Sequence, residues 1–324
     1  MTQPFLLTSA ARTLSLASVA RMGDEEAHDA FRMLRWAENE GNPVCPKCGG
    51  VECYTYKARK IYKCKACRHQ FSVTSGTIFA DRKRPIRDYL LAIAIFVNGA
   101  KGYAALQLGR DLDMSYKCAF VLAHKLREAI EAEQEKTETL GGTVAVDGAY
   151  FGGHIRPANR VEDRIDRRLK KHQTGKRQVV VVAREHGGNT LTKVFKTEGQ
   201  GVAFVAKRVR PDAIIHADEA AHWDALHARF LTKRINHQRA YSDEGVHTNA
   251  AEGFFSRLRR AEVGTHHHIS GKFLHRYAAE MAWREDNRKV SNGHQYLAIT
   301  HASLNHPVSG AFPGYWHKRE KVAA

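Results

Sequence analysis

The chain has 324 residues, 43% hydrophobic and 26% charged, a composition that suits a globular protein with a full-sized core and two or three domains. No apolar run approaches the roughly 18 residues of a membrane span, and Phe5 to Ala20 lacks the basic lead-in and sustained apolar core of a secretory signal. A net charge of +17 and an isoelectric point near 9.7 point to a polyanionic partner, a trait shared by nucleic-acid-binding, ribosomal and membrane-surface proteins.

Residues 1–40 read as an N-terminal helical segment. Asp24 to Ala37 predicts one helix that packs through Phe31, Leu34 and Trp36 and ends at Gly41-Asn42-Pro43. Residues 41–75 hold Cys45, Cys48, Cys64 and Cys67 in the pattern C-x2-C-x15-C-x2-C. Two tight thiolate pairs form a tetrahedral site for zinc, and alternation at Tyr54 to Tyr56 and Ile61-Tyr62 predicts short strands. A zinc ribbon with structural Zn2+ is therefore expected; a disulfide framework is disfavoured because nothing indicates export. Cys53 and Cys118 lie outside the pattern and read as plain thiols.

Residues 76–140 predict three helices, Ile86 to Val97, Tyr103 to Leu112, and Tyr116 to about Glu131 with Ser115 as N-cap. The short turn before the third gives a helix-turn-helix layout whose last helix enters a major groove. Tyr116, Lys117, His124, Lys125 and Arg127 are its polar candidates for DNA contact. A plain three-helix bundle has the same pattern.

At Gly141-Gly142 the periodicity changes. Thr143 to Tyr150 is a strand-like run carrying one acid, Asp147, and ending at Gly152-Gly153. His154 to Arg177 has nine Lys or Arg against three acids, as a loop that meets nucleic acid or a solvated insertion. Gln178 to Ala183 and Leu191 to Phe195 predict neighbouring strands across the Gly187-Gly188-Asn189 turn. Val202 to Arg208 predicts a helix, and Ala213 to Glu219 a strand carrying Asp218 at its carboxyl end. Ile235-Asn236-His237 closes the extended part. From His247 to Arg260, Ala251, Phe254, Phe255 and Leu258 form the apolar stripe of a helix whose other face carries Glu252, Ser256 and Arg259. This order, a mixed α/β plan over residues 141–290, is that of a ribonuclease-H-like domain. Three carboxylates on adjacent elements can hold two hard divalent cations through oxygen. Residues 291–324 read as a C-terminal tail, and His266-His267-His268 as a turn or DNA contact.

With those motifs assembled, the chain resembles the bacterial insertion-sequence DDE transposases that carry an N-terminal zinc ribbon, the ISXO-like group. The matching motifs are Phe31 to Trp36 with C-P-x-C-G, Val146 to Gly153, Asn236-His237 and His247 to Ser256. They continue through Gly264, His267 or His268, Ser270, Leu274, Arg276-Tyr277, Trp283-Arg284, Asn287 and Arg288. Gly148 departs from the group, which often has Glu there, and Arg259 stands where Lys is common, keeping the charge but changing its geometry. The resemblance implies Asp147, Asp218 and Glu252 as the acidic triad holding two Mg2+ or Mn2+ ions. Arg259 follows seven residues after the glutamate, and Asn249, His247 and Arg259 orient phosphates. Asn249 is the other candidate for third ligand.

The implied function is Mg2+-dependent cleavage at terminal inverted repeats and strand transfer into target DNA. The implied partners are double-stranded DNA and further copies of the chain, in the cytoplasm at a bacterial nucleoid. A zinc-ribbon and helix-turn-helix DNA-binding regulator with an inactive transposase-like domain is the alternative. A structure-selective nuclease on the same fold is a third reading.

Overall fold

The structure is a computed structural model and describes residues 3–137, 139–152, 158–166, 172, 175, 177–235, 247–312 and 315. The motif residues Gly153, Asn236 and His237, and half of the basic segment 154–177, including Arg167 and Arg168, lie outside the described residues. The chain divides into two compact units, residues 134–286 and residues 1–133 together with 287–324. No described helix is long and apolar enough to cross a membrane.

The first unit opens with α1 (Leu16–Arg21) and α2 (Asp24–Arg35), followed by a three-stranded antiparallel ribbon of β1 (Cys53–Tyr56), β2 (Ile61–Cys64) and β3 (Gln70–Ser72). A ribbon this small buries little by itself, so it docks on α2. Trp36, at the end of α2, meets Tyr62 edge-on at 5.4 Å and Phe71 at 6.3 Å. The Arg35 guanidinium donates to the Val73 and Ser75 carbonyls at 2.5 Å each. Three helices follow, α3 (Ile86–Asn98), α4 (Ala105–Asp111) and α5 (Tyr116–Lys136), of which α5 runs into the second unit. Ser115 caps α5, its Oγ accepting from the Cys118 N–H at 3.3 Å.

α3 is apolar nearly all round, with Leu90, Ile93 and Phe96 fully buried. Such a helix must be surrounded, and α1, α2 and a late helix α9 (Asn292–Asn305) pack on it. The segment read as a tail thus supplies part of this core. Asn292 fastens it: its Oδ1 accepts from the Thr13 and Leu14 N–H groups at 2.9 Å, and its Nδ2 donates to Asn98 Oδ1 at 2.9 Å.

The second unit is a five-stranded mixed sheet of β4 (Thr143–Phe151), β5 (Gln178–Glu185), β6 (Thr190–Phe195), β7 (Ile214–Asp218) and β8 (Leu231–Ile235), in the order β6-β5-β4-β7-β8. β4, β5 and β6 pair antiparallel, while β7 and β8 run parallel to β4. The run Val179 to Val182 shows why the sheet lies in the middle. Val180 and Val182 face one core with α7 (Asn249–Ala261) and α8 (Leu274–Asp286), and Val179 and Val181 face the other with α6 (Gly201–Arg208) and Trp223. A strand covered on both faces has no polar side to alternate with.

Candidate functional site

The cysteines come together by local geometry. The Cys45 and Cys64 turns fold back so that the Gly49 N–H reaches Cys45 O and the Arg68 N–H reaches Cys64 O. All four sulfurs lie within 4.8 Å of one another, with 3.6 Å across Cys45–Cys67 and Cys48–Cys64. Zinc–sulfur bonds of about 2.3 Å in a tetrahedron require sulfurs about 3.8 Å apart, so the set fits zinc. Without a cation the thiols cannot all ionise. Backbone N–H groups, that of Cys67 foremost, draw Cys64 down to about 7. At Cys48 the Gly50 N–H pulls the other way but is overcome by the neighbouring thiols, which push it up to about 12.

The acids converge through sheet register. Val146 pairs with Ala217 in the parallel β4–β7 ladder, so Asp147 and Asp218 follow side by side at the same edge. Side chains alternate across the sheet; Ala145 and Ala149 face α7, and Asp147 with them. Glu252 enters in the first turn of α7, where the Thr248 hydroxyl donates to its Oε1 at 3.4 Å. Burial above all, then the charges of Asp218 and Glu252, pushes the Asp147 carboxyl up to about 7, against the pull of the Gly148 N–H and of Arg259. A half-buried carboxylate pressed by two others has more negative charge around it than one arginine offsets. The donors are all hard oxygens, which suits Mg2+ or Mn2+. Their spacing is looser than that of the thiols: among the described residues only the cysteines form so tight a group.

Asn249 and Arg259 are exposed and His247 is half-buried on the same helix or its lead-in. His247 stacks on His186 at 4.7 Å, and its N–H donates to His216 Nδ1 at 3.4 Å. Burial holds His186 and His216 below the usual histidine range, with the His247 imidazole adding to it, and the packed rings anchor the chain entering α7. The helix is held further along by Glu285 of α8, which takes Arg184 of β5 at 3.1 Å and Arg257 of α7 at 2.7 Å.

Sequence reasoning missed Glu198, in the short turn before α6. Burial, then the charges of Asp147 and Asp218, pushes its carboxyl up to about 7. Its turn carries an ordinary capping signal, Thr197 with Gln200, and nothing local marks it as part of an acidic site.

Two DNA-contact expectations are corrected. Arg127 is 1% exposed, lies over the Phe96 ring at 5.6 Å and donates to Tyr103 O at 3.4 Å. His124 is fully buried between Phe120 and Phe312. Both lie on the core face of α5, where a long guanidinium stem packs on apolar surface. Lys125 is half-buried and lines a cavity of about 400 Å³ with Phe79, Tyr89 and Tyr315; burial lowers its pKa against the pull of Glu128 and Asp81. Tyr116 and Lys117, in the first turn of α5, are exposed.

Residues 139–286 match the family model of the ISXO2-like transposase domain, and residues 22–70 match that of the transposase zinc-ribbon domain. A transposase zinc ribbon is thus followed, in one chain, by an ISXO2-like transposase domain. The boundaries of the transposase domain nearly coincide with those of the second compact unit. An uncharacterized protein in transposable element ISH50 of Halobacterium salinarum is 22% identical over 249 residues, covering 74% of this chain and 83% of that protein. A chain from the crystal structure of a pre-cleavage Mos1 transpososome matches over 66% of this chain and 78% of its own length, at 11% identity. Its TM-score of 0.24 is too low for any inference.

Proposed function

We propose that this protein is the transposase of an insertion sequence, cutting DNA at the element's terminal inverted repeats and joining the freed ends to target DNA. The observation that carries the reading is the surroundings of Asp147, a half-buried carboxylate on the central strand pressed by the charges of Asp218 and Glu252 from two other elements. The strand order with β4 central supports a ribonuclease-H-like fold for this unit.

In this reading Asp147, Asp218 and Glu252 hold two Mg2+ or Mn2+ ions through carboxylate oxygens. Such ions supply an activated water at neutral pH and offset charge on the leaving 3′ oxygen. Through those ions the three carboxylates would fix where the scissile phosphodiester lies. Asn249 and Arg259, exposed on α7, and His247 at its entrance grip the flanking phosphates, Arg259 with a two-pronged donor set. The stacked histidines and the Arg184–Glu285–Arg257 pairs keep α7 in register, so Glu252 stays over the sheet edge.

Cys45, Cys48, Cys64 and Cys67 hold structural Zn2+, and α3 to α5 form a helix-turn-helix that presents Tyr116 and Lys117 to the repeat. N-terminal residues of a recognition helix are the ones that reach base edges. DNA is the partner to which the +17 charge corresponds, and further copies of the chain assemble on it.

The test is incubation of the full chain with end-bearing DNA and Mg2+, scored for nicking and joining. The reading requires both from the parent and neither from Asp147→Asn. End binding without either reaction would make the chain a DNA-binding regulator on a transposase fold, and nicking without joining a nuclease.

A further inference from the structure

A carboxylate on the opposite face of β4 reaches the same sheet edge. Gly148 faces away from α7, toward the turn that leads into α6. The space a side chain would fill there is taken: a Cβ on Gly148 would stand 2.1 Å from Glu198 Oε1 and 2.6 Å from its Cγ and Cδ. Glycine at 148 is thus what lets Glu198 lie against β4 beside Asp147. The turn is held independently, since Gln200 Oε1 accepts the Lys196 N–H at 3.1 Å and the Thr197 N–H at 3.4 Å.

Glu198 is poorly provided for as a structural residue. Its side chain is 19% exposed, and the nearest cationic candidate, His222 Nε2, stands 3.8 Å away. That nitrogen is buried without a hydrogen-bond partner, and burial lowers the pKa of its imidazole. No hydrogen bond to the Glu198 carboxylate occurs among the described residues, while Asp147 and Asp218 both act on it with like charge. A half-buried carboxylate that faces two like charges without a donor offers an oxygen to a cation.

We propose that Glu198 is a fourth carboxylate of the divalent-cation site, an oxygen ligand that reaches the Asp147–Asp218 edge through the volume left open by Gly148. The proposal rests on the reading of Asp147, Asp218 and Glu252 as the metal-holding acids. It adds a ligand from the turn before α6, so cation occupancy also orders that turn.

The experiment measures Mn2+ binding to the full-length, zinc-loaded chain without DNA, by electron paramagnetic resonance of free Mn2+, with thermal unfolding alongside. Glu198→Gln keeps the shape and removes the charge; a roughly 10- to 100-fold loss of Mn2+ affinity is expected, at unchanged or higher unfolding temperature without metal. Gly148→Asp in a Glu198→Ala background returns a carboxylate to the same volume and restores most of the affinity, which no packing role predicts. Parental affinity in Glu198→Gln, with Asp147→Asn defective, overturns the proposal and leaves the triad standing. Loss in Glu198→Gln without rescue by the aspartate reduces Glu198 to packing and overturns it too. Parental affinity in Asp147→Asn removes the triad reading itself.

Discussion

Arg184 of β5 and Glu285 of α8 form an ion pair at 3.1 Å in which the side chains are 9% and 5% exposed. The same carboxylate takes Arg257 of α7 at 2.7 Å, so one buried acid ties the sheet to the helix that carries Glu252. Burial alone would raise the Glu285 pKa, but Arg257 and Arg184 outweigh it and hold it below the usual range. Glu285→Ala leaves two guanidinium groups without their acid, one of them buried. A loss of about 3–5 kcal/mol is expected, read by urea unfolding of the full chain. Parental stability would show that the pairs do not hold α7.

The acidic edge predicts a pH dependence with a definite sign. Asp147 and Glu198 have folded pKa values of about 7, above their ordinary 3.8 and 4.5. Raised acids favour the fold when protonated, so metal-free stability declines as pH rises from about 4 through about 7 and levels off above. The loss is on the order of a few kcal/mol, and Mg2+ cancels part of it. Asp147→Asn flattens the curve; an unchanged curve in that variant would place the charge strain elsewhere.

For catalysis, Asp147→Asn, Asp218→Asn and Glu252→Gln each keep shape and remove charge. Each is expected to lower nicking and joining by at least a thousandfold, a magnitude typical of lost electrostatic stabilisation, with end binding retained. Asn249→Ala serves as the internal comparison. A larger loss there than at Glu252 moves the third ligand to Asn249.

The ribbon predicts one zinc per chain. Chelation or Cys64→Ser unfolds residues 41–72 and weakens end binding, while the sheet of residues 134–286 keeps its melting transition. A folded, zinc-free ribbon, seen by metal analysis together with near-ultraviolet dichroism, would refute the assignment.

On α5 the two faces separate two effects. Lys117→Ala in the exposed first turn is expected to weaken end binding and flatten its salt dependence by about one counterion, without change in stability. Arg127→Ala removes buried contacts to Phe96 and Tyr103 and costs about 2 kcal/mol of stability. The reverse outcome would place the DNA on the other face.

What the sequence determined by itself was whatever a short stretch encodes alone. The spacing of the cysteine pairs set the thiol cluster, the Val179 to Val182 run announced a strand buried on both faces, and the stripe Ala251, Phe254, Phe255 and Leu258 marked the core face of α7. Asp147 and Asp218 were legible because each lies on a strand, where an acid is conspicuous. Arg127 and His124 misled because helical period places a residue on a face without saying what covers it; Phe96, Phe120 and Phe312 cover that one. The tertiary structure alone decided that Asn292 would fasten α9 to the first unit, that three histidines would brace the entry to α7, and that Glu198 would fill the space over Gly148. These partners are dozens to hundreds of residues apart, and long-range contacts form only when the whole chain closes on itself. No local pattern carries a signal for them, because the energy that fixes them belongs to the packed pair.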